Sequence, residues 1–134
     1  MIFAPMGAMA LLTFTVLLLV PIARFRAAFA GQVTPDDFKL GESARVPPHV
    51  SLPNRNYMNL LELPTLFFPI CLMLYMAHRV DAVALWAAWA FVVFRLVHSL
   101  IHVNYNNVRH RLIAFTIGNF ALGTLWVWFF IGFH

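Results

Sequence analysis

The sequence predicts an all-α integral membrane protein, an up-down four-helix transmembrane bundle forming one domain over 1–134. Three observations predict it. Of the 134 residues, 62% are hydrophobic and only 10% charged, where a soluble domain carries about 25% charge; the mean hydropathy is +0.79. Four continuous apolar runs each reach the roughly 20 residues a helical span needs, whereas barrel strands would be about 10 residues long and alternating. Within two of those runs, ionisable residues recur at helical spacing. The composition excludes a soluble enzyme fold, a nucleic-acid module and a disordered tail. The isoelectric point near 10.0 comes from scattered basic residues without a block, so no nucleic-acid partner is expected, and the partner that is expected is the lipid bilayer. A single cysteine excludes an internal disulfide and a Cys-based zinc site. Cys71, in an apolar run, is read as packing.

Met1 to Ala23 carries no charge and is long enough to cross with some tilt. A signal peptide competes, because Ala28-Phe29-Ala30 resembles a cleavage site. However, no basic residue precedes the apolar stretch, and Arg24 and Arg26 lie between it and that site, so an uncleaved first helix is expected. The polar segment 24–53 holds Arg24, Arg26, Asp36, Asp37, Lys39, Glu42, Arg45 and His49, broken by four prolines. It reads as the loop between the first two helices, with the end of helix 1 running into it. Asn54 to Ala77 is the second span, interrupted by Pro64 and Pro69. Ala82 to Asn104 is the third, Tyr105-Asn106-Asn107 a turn, and Leu112 to Phe133 the fourth. Trp126, Trp128, Phe129 and Phe130 look like an interfacial aromatic belt.

Charge sets the orientation. Loop 24–53, the start of helix 2 and the third connection carry Arg24, Arg26, Lys39, Arg45, Arg55, Arg109 and Arg111, against Arg79 alone on the other side. The positive side is cytoplasmic, which puts both termini outside. In a bacterium the membrane would be the inner one.

Ionisable groups inside a span cost roughly 2.5–3.5 kcal/mol each on insertion scales and ask for a reason. Arg55, Asn59 and Glu62, at i, i+4, i+7, share one face of helix 2. Arg95, His98 and His102, at i, i+3, i+7, share one face of helix 3. With Arg24, Arg26, Arg109 and Arg111, all four helices send polar side chains to one depth on the cytoplasmic side. Arginines at helix ends also snorkel to the headgroups without further role. A Glu62–Arg95 pair locking two helices is the structural alternative for Glu62. His98 and His102, at i, i+4, could pair on a metal with Glu62 as third ligand, but His98 reads rather as a hydrogen-bonding group on a polar face, and no metal is expected. The functional reading is an anion-binding pocket. Several Arg would hold carboxylates, Glu62 would accept an ammonium and Asn59 would fix an amide. Those are the groups of a small zwitterionic peptide, next to walls that admit a lipophilic small-molecule substrate from the bilayer. An Arg beside a bound thiol would favour the reactive thiolate.

At these residues the chain resembles the MAPEG family, the membrane-associated proteins in eicosanoid and glutathione metabolism, in its bacterial type. Arg55-Asn56-Tyr57-Met58-Asn59-Leu60-Leu61-Glu62-Leu63-Pro64 is similar to that family's R-x-x-x-N-x-x-E-x-x-P segment, with the proline two residues after Glu62. Arg95-Leu96-Val97-His98-Ser99-Leu100-Ile101-His102 is similar to its third-helix segment, and Arg24-Phe25-Arg26 with Gly31 to Asp37 to the end of its first helix. The resemblance implies a homotrimer that binds glutathione between subunits and acts as a glutathione transferase, peroxidase or isomerase on lipophilic substrates, some members being non-enzymatic. It implies glutathione ligands at Arg24, Arg55, Asn59, Glu62, Arg95, His98, His102 and Arg109. The thiol-activating arginine is implied at Arg111, with Arg109 the alternative. Where many members have tyrosines, this chain has His102 and Phe115. The expected function is glutathione transfer to, or peroxide reduction on, lipophilic electrophiles; the alternative is a non-catalytic membrane scaffold or regulator.

Overall fold

The computed structural model describes residues 1–132. Five helices run in the order α1 (Phe3–Phe29), α2 (Pro48–Glu62), α3 (Pro64–Met76), α4 (Ala82–Val103) and α5 (Val108–Ile131). α2 and α3 together form one bent span, so four spans cross in up-down order. The last expected residue of the fourth span, Phe133, lies outside the described residues.

α1 does not stop at Ala23 but continues through Arg24 and Arg26. At 1.5 Å per residue its 27 residues reach about 40 Å, longer than a hydrocarbon core of about 30 Å. That length leaves room for the turn bearing Arg24 and Arg26 beyond the apolar core, where a guanidinium costs little. Gly31 ends it: at φ +72° it takes the left-handed conformation while the Gln32 N–H donates to the Ala27 carbonyl (2.9 Å). The segment 24–53 is thus not one loop, because 24–29 belongs to α1 and 48–53 to α2.

The connection between them is folded rather than open. The Asp37 carboxylate accepts from the Thr34 N–H (2.8 Å), the Thr34 hydroxyl (3.2 Å) and the Ser43 hydroxyl (2.8 Å). Those bonds, the Thr34 N–H foremost, hold its carboxyl below the usual value. Val33, Val46 and Val50 bury against Ala27 beneath Phe38.

Pro64 has no N–H to give the Leu60 carbonyl, and the chain tightens there, with the Leu66 N–H on the Leu63 carbonyl (2.9 Å). The Thr65 hydroxyl bonds the Glu62 carbonyl. α4 and α5 form the tightest hairpin. Asn106 (φ +47°) makes the turn, and Asn107 caps α5 by accepting from the Arg109 N–H (3.0 Å) and the His110 N–H (3.2 Å). The core fills the bundle centre around Met9, Phe67, Cys71 and Phe91, with the Phe67 and Phe91 rings stacked at 4.7 Å.

The aromatic residues expected as a belt near the end of α5 also make contacts within the subunit. Phe129 is core, Trp126 packs on the core, and the Trp128 indole donates to Asp81 (2.9 Å); Phe130 alone of the four is exposed. Asp81 also caps α4 through the Ala84 N–H (2.9 Å), while the Arg79 guanidinium donates to the Phe129 carbonyl (2.8 Å). These contacts tie the α3–α4 turn to the far end of α5.

Candidate functional site

The helical face predicted on α4 turns inward. Arg95, His98 and His102 are each at most 3% exposed, and the two histidine rings stack at 6.0 Å. The Arg95 guanidinium lies over Phe91 (5.3 Å) and Phe115 (5.0 Å) and donates to Asn119 Oδ1 (3.2 Å). Two of its nitrogens, Nε and Nη1, are enclosed without a partner.

At the start of α5, Arg111 and Arg109 part. Arg111 is half-buried, with Nη1 donating to His102 Nδ1 (2.8 Å) and Asn106 Oδ1 (2.7 Å); Arg109 is exposed. A guanidinium has only donors, so His102 Nδ1 accepts and the ring proton is on Nε2. That N–H is enclosed and unpartnered, as is His98 Nδ1. Asn59, His98, Val108, Arg111, Leu112 and Phe115 line an open cavity of about 260 Å³ at this end of the bundle. Leu112 and Phe115 also belong to a longer groove of about 580 Å³ that follows the outer face of α5 past Asn119 to Val127.

The other predicted residues are not gathered there by one subunit. Arg55 and Glu62 are exposed on α2, while Asn59 between them turns half-inward. Glu62 and Arg95 make no ion pair among the described residues. The helix lock offered as the structural alternative is not made as a direct ion pair within the subunit, where Glu62 is exposed on α2 and Arg95 buried on α4. Arg24 pairs instead with Glu42 (3.3 Å), its guanidinium over Phe38 at 4.5 Å. Among the described residues no three His, Cys, Asp or Glu side chains gather as for a metal.

Four residues escaped the sequence reading. Asn56 is fully buried and accepts from the Ser99 hydroxyl (3.1 Å), joining α2 to α4. Asn106 and Asn119 hold the two guanidinium groups just described. Asn56 and Ser99 each follow a flagged residue by one position, and Asn119 is the one amide in the fourth span beyond Leu112. A lone polar residue in an apolar run was the signal that could have found it.

The fold and this cluster define a multi-pass membrane protein of four spans with a donor-rich pocket at one end. The sequence model of the MAPEG family matches residues 2–131 of the 134, and the chain belongs to that family. The family includes glutathione transferases and related proteins, and its members generally bind glutathione. No curated protein and no solved structure matches the chain.

Proposed function

We propose that this MAPEG member is a glutathione transferase or glutathione-dependent peroxidase acting on lipophilic electrophiles, its pocket facing the cytoplasm. The observation that carries this reading is the half-buried Arg111 at the mouth of a cavity rich in donors. Its lining brings the Arg111 guanidinium, the Asn59 amide and the His98 ring to one opening, and a guanidinium flanked by polar groups suits an anionic peptide. When bound, glutathione supplies the sulfur nucleophile, whose thiolate forms the new bond as the leaving group departs with its electron pair.

The chain's own residues do the rest. Arg111 places a fixed positive charge where thiolate is then preferred over thiol. His98 and Asn59 offer polar groups from the cavity wall, His102 steadies Arg111 by accepting from its Nη1, Arg95 lies against Phe115 of that wall, and Arg109 offers a charge at the rim. Glu62 and Arg55 face outward on α2, at a depth where a bare charge in lipid is costly. Covering them with a second copy resolves that cost and closes the open side of the cavity. We therefore assign the working unit as a homotrimer with α2 toward its axis, and Arg24 as a ligand contributed across the subunit boundary. The apolar groove along α5 receives the lipophilic substrate directly from the bilayer.

The test is conjugation of glutathione to chlorodinitrobenzene by the detergent-solubilised protein. Arg111→Ala should lower kcat by at least tenfold and KM for glutathione by little, while Arg109→Ala stays within about threefold of the wild type. The reverse pattern would move the thiol-activating role to Arg109. A second reading has its own support. Phe115 supplies no hydroxyl, and Arg111 is already engaged by His102 and Asn106. A non-catalytic scaffold that keeps the ligand would bind glutathione without turnover.

A further inference from the structure

Midway along α5, the groove of about 580 Å³ carries one amide, Asn119, between Phe115 and Phe120 on one side and Gly123 and Val127 on the other. Its orientation is forced. The Arg95 guanidinium can only donate, so it takes Oδ1 (3.2 Å), and the two N–H groups of Nδ2 are left for other partners. That nitrogen has no partner among the described residues, and it is not among the enclosed polar atoms, so it opens to the groove. The threonines of the same wall differ from it. The Thr124 hydroxyl donates to the Phe120 carbonyl (2.9 Å), and the Thr116 hydroxyl is exposed nearer the cavity mouth. Lipid tails offer nothing to an amide N–H, and water is scarce at mid-span.

We infer that Asn119 is a specificity-determining residue whose amide N–H groups bind an oxygen acceptor on the lipophilic substrate. The inference rests on the reading of the α5 groove as the lipophile's site. Eight residues separate Asn119 from Arg111, about 12 Å along the helix. The substrate class is then a lipophile with its electrophilic atom at one end and a carbonyl, hydroxyl or ether oxygen about 12 Å further into the bilayer. Arg95 is a positioning residue for this contact: it holds the amide and leaves the donors free. The competing occupant is an acceptor on a neighbouring subunit. The groove's continuity with the cavity through Leu112 and Phe115 favours the substrate.

The test uses the full chain in detergent and a probe that glutathione does not attack, dipentyl ketone labelled with carbon-13 at its carbonyl. The infrared carbonyl band should gain a lower-frequency, hydrogen-bonded component on adding wild-type protein. Asn119→Asp should abolish that component. This variant keeps an oxygen for Arg95, so it keeps the pair that holds the fold while removing both donors. Thr116→Val should leave the component in place. A second arm compares turnover of two enals of equal length, one carrying a ketone about 12 Å from the reacting carbon. The wild type should prefer the ketone about threefold to tenfold, as a net hydrogen bond allows, and Asn119→Asp should show no preference. The proposal is overturned if the wild type shows no lower-frequency component, or if Asn119→Asp retains it. Absence of the component with loss of the oligomer in Asn119→Asp would assign the amide to the neighbouring subunit and overturn it equally. If neither enal is turned over, the glutathione reading fails, while the infrared arm still decides the role of Asn119.

Discussion

Asp81 shows how one side chain can hold two elements at the end of the bundle where the α3–α4 turn meets α5. Its carboxylate accepts from the Ala84 N–H at the start of α4 and from the Trp128 indole on α5. The first of these contributes most to holding the carboxyl below its ordinary 3.8. A depressed carboxyl contributes stability that is fully present above that ordinary value and lost as pH falls through the folded one. Trp128 emission should therefore be flat from neutral pH down to about 4 and change below it. Asp81→Ala should remove this acid transition and cost about 1 kcal/mol, the worth of a helix cap, read as a lower midpoint of thermal inactivation. An unchanged acid transition in Asp81→Ala would mean that another group governs it. Residue-scale pairings of this kind were the least legible in the sequence. Arg24 finds Glu42 eighteen positions away because a folded connection brings them together, and no spacing rule reports that. Asn56 rather than Asn59 reaches Ser99 because three residues turn a helix by about 300°, leaving the two amides on different faces.

At the scale of elements, apolar periodicity told more. The four spans were legible because each is a continuous run, and Arg95, His98 and His102 share a face because a helix repeats every 3.6 residues. The end of α1 was not legible: arginines at headgroup level do not break a helix, so a charge boundary is not a helix boundary. The α5 groove was hidden too, since its shape comes from what is missing at Gly123. A β-carbon there would meet no atom within 4 Å, so the subunit tolerates a side chain while the groove does not. Gly123→Val should keep helical content and glutathione affinity. It should raise KM for a long-chain electrophile by about tenfold, the effect of roughly 1.4 kcal/mol of lost contact, and leave the small chlorodinitrobenzene unaffected. Equal KM values for the long substrate in both proteins would remove the groove from the account.

On the scale of the whole molecule, the proposed homotrimer covers what one subunit leaves open. The subunit by itself has Glu62 and Arg55 on an outer helical face and its polar cavity open on one side. Mass measurement in mild detergent should give three times 15.3 kDa, and Glu62→Leu should weaken glutathione binding at least tenfold without dissociating the assembly. A monomer that still binds glutathione would contradict this assembly. Positive charge gathers on the side of the α1–α2 connection and the α4–α5 turn, so a reporter inserted at 39–40 should be cytoplasmic and one fused after His134 should not. A cytoplasmic reporter after His134 would overturn the orientation, and reporters cytoplasmic at both positions would overturn the even number of crossings.

The central claim is that Arg111 makes a thiolate of bound glutathione, and ultraviolet difference titration of the solubilised protein tests it most directly. With glutathione saturating, the thiolate band should appear at a pH well below the free-thiol range of about 8.5. It should return toward that range in Arg111→Ala while remaining low in Arg109→Ala. A bound thiol that titrates in the free range in the wild type, or one whose titration Arg111→Ala does not move, would contradict the claim.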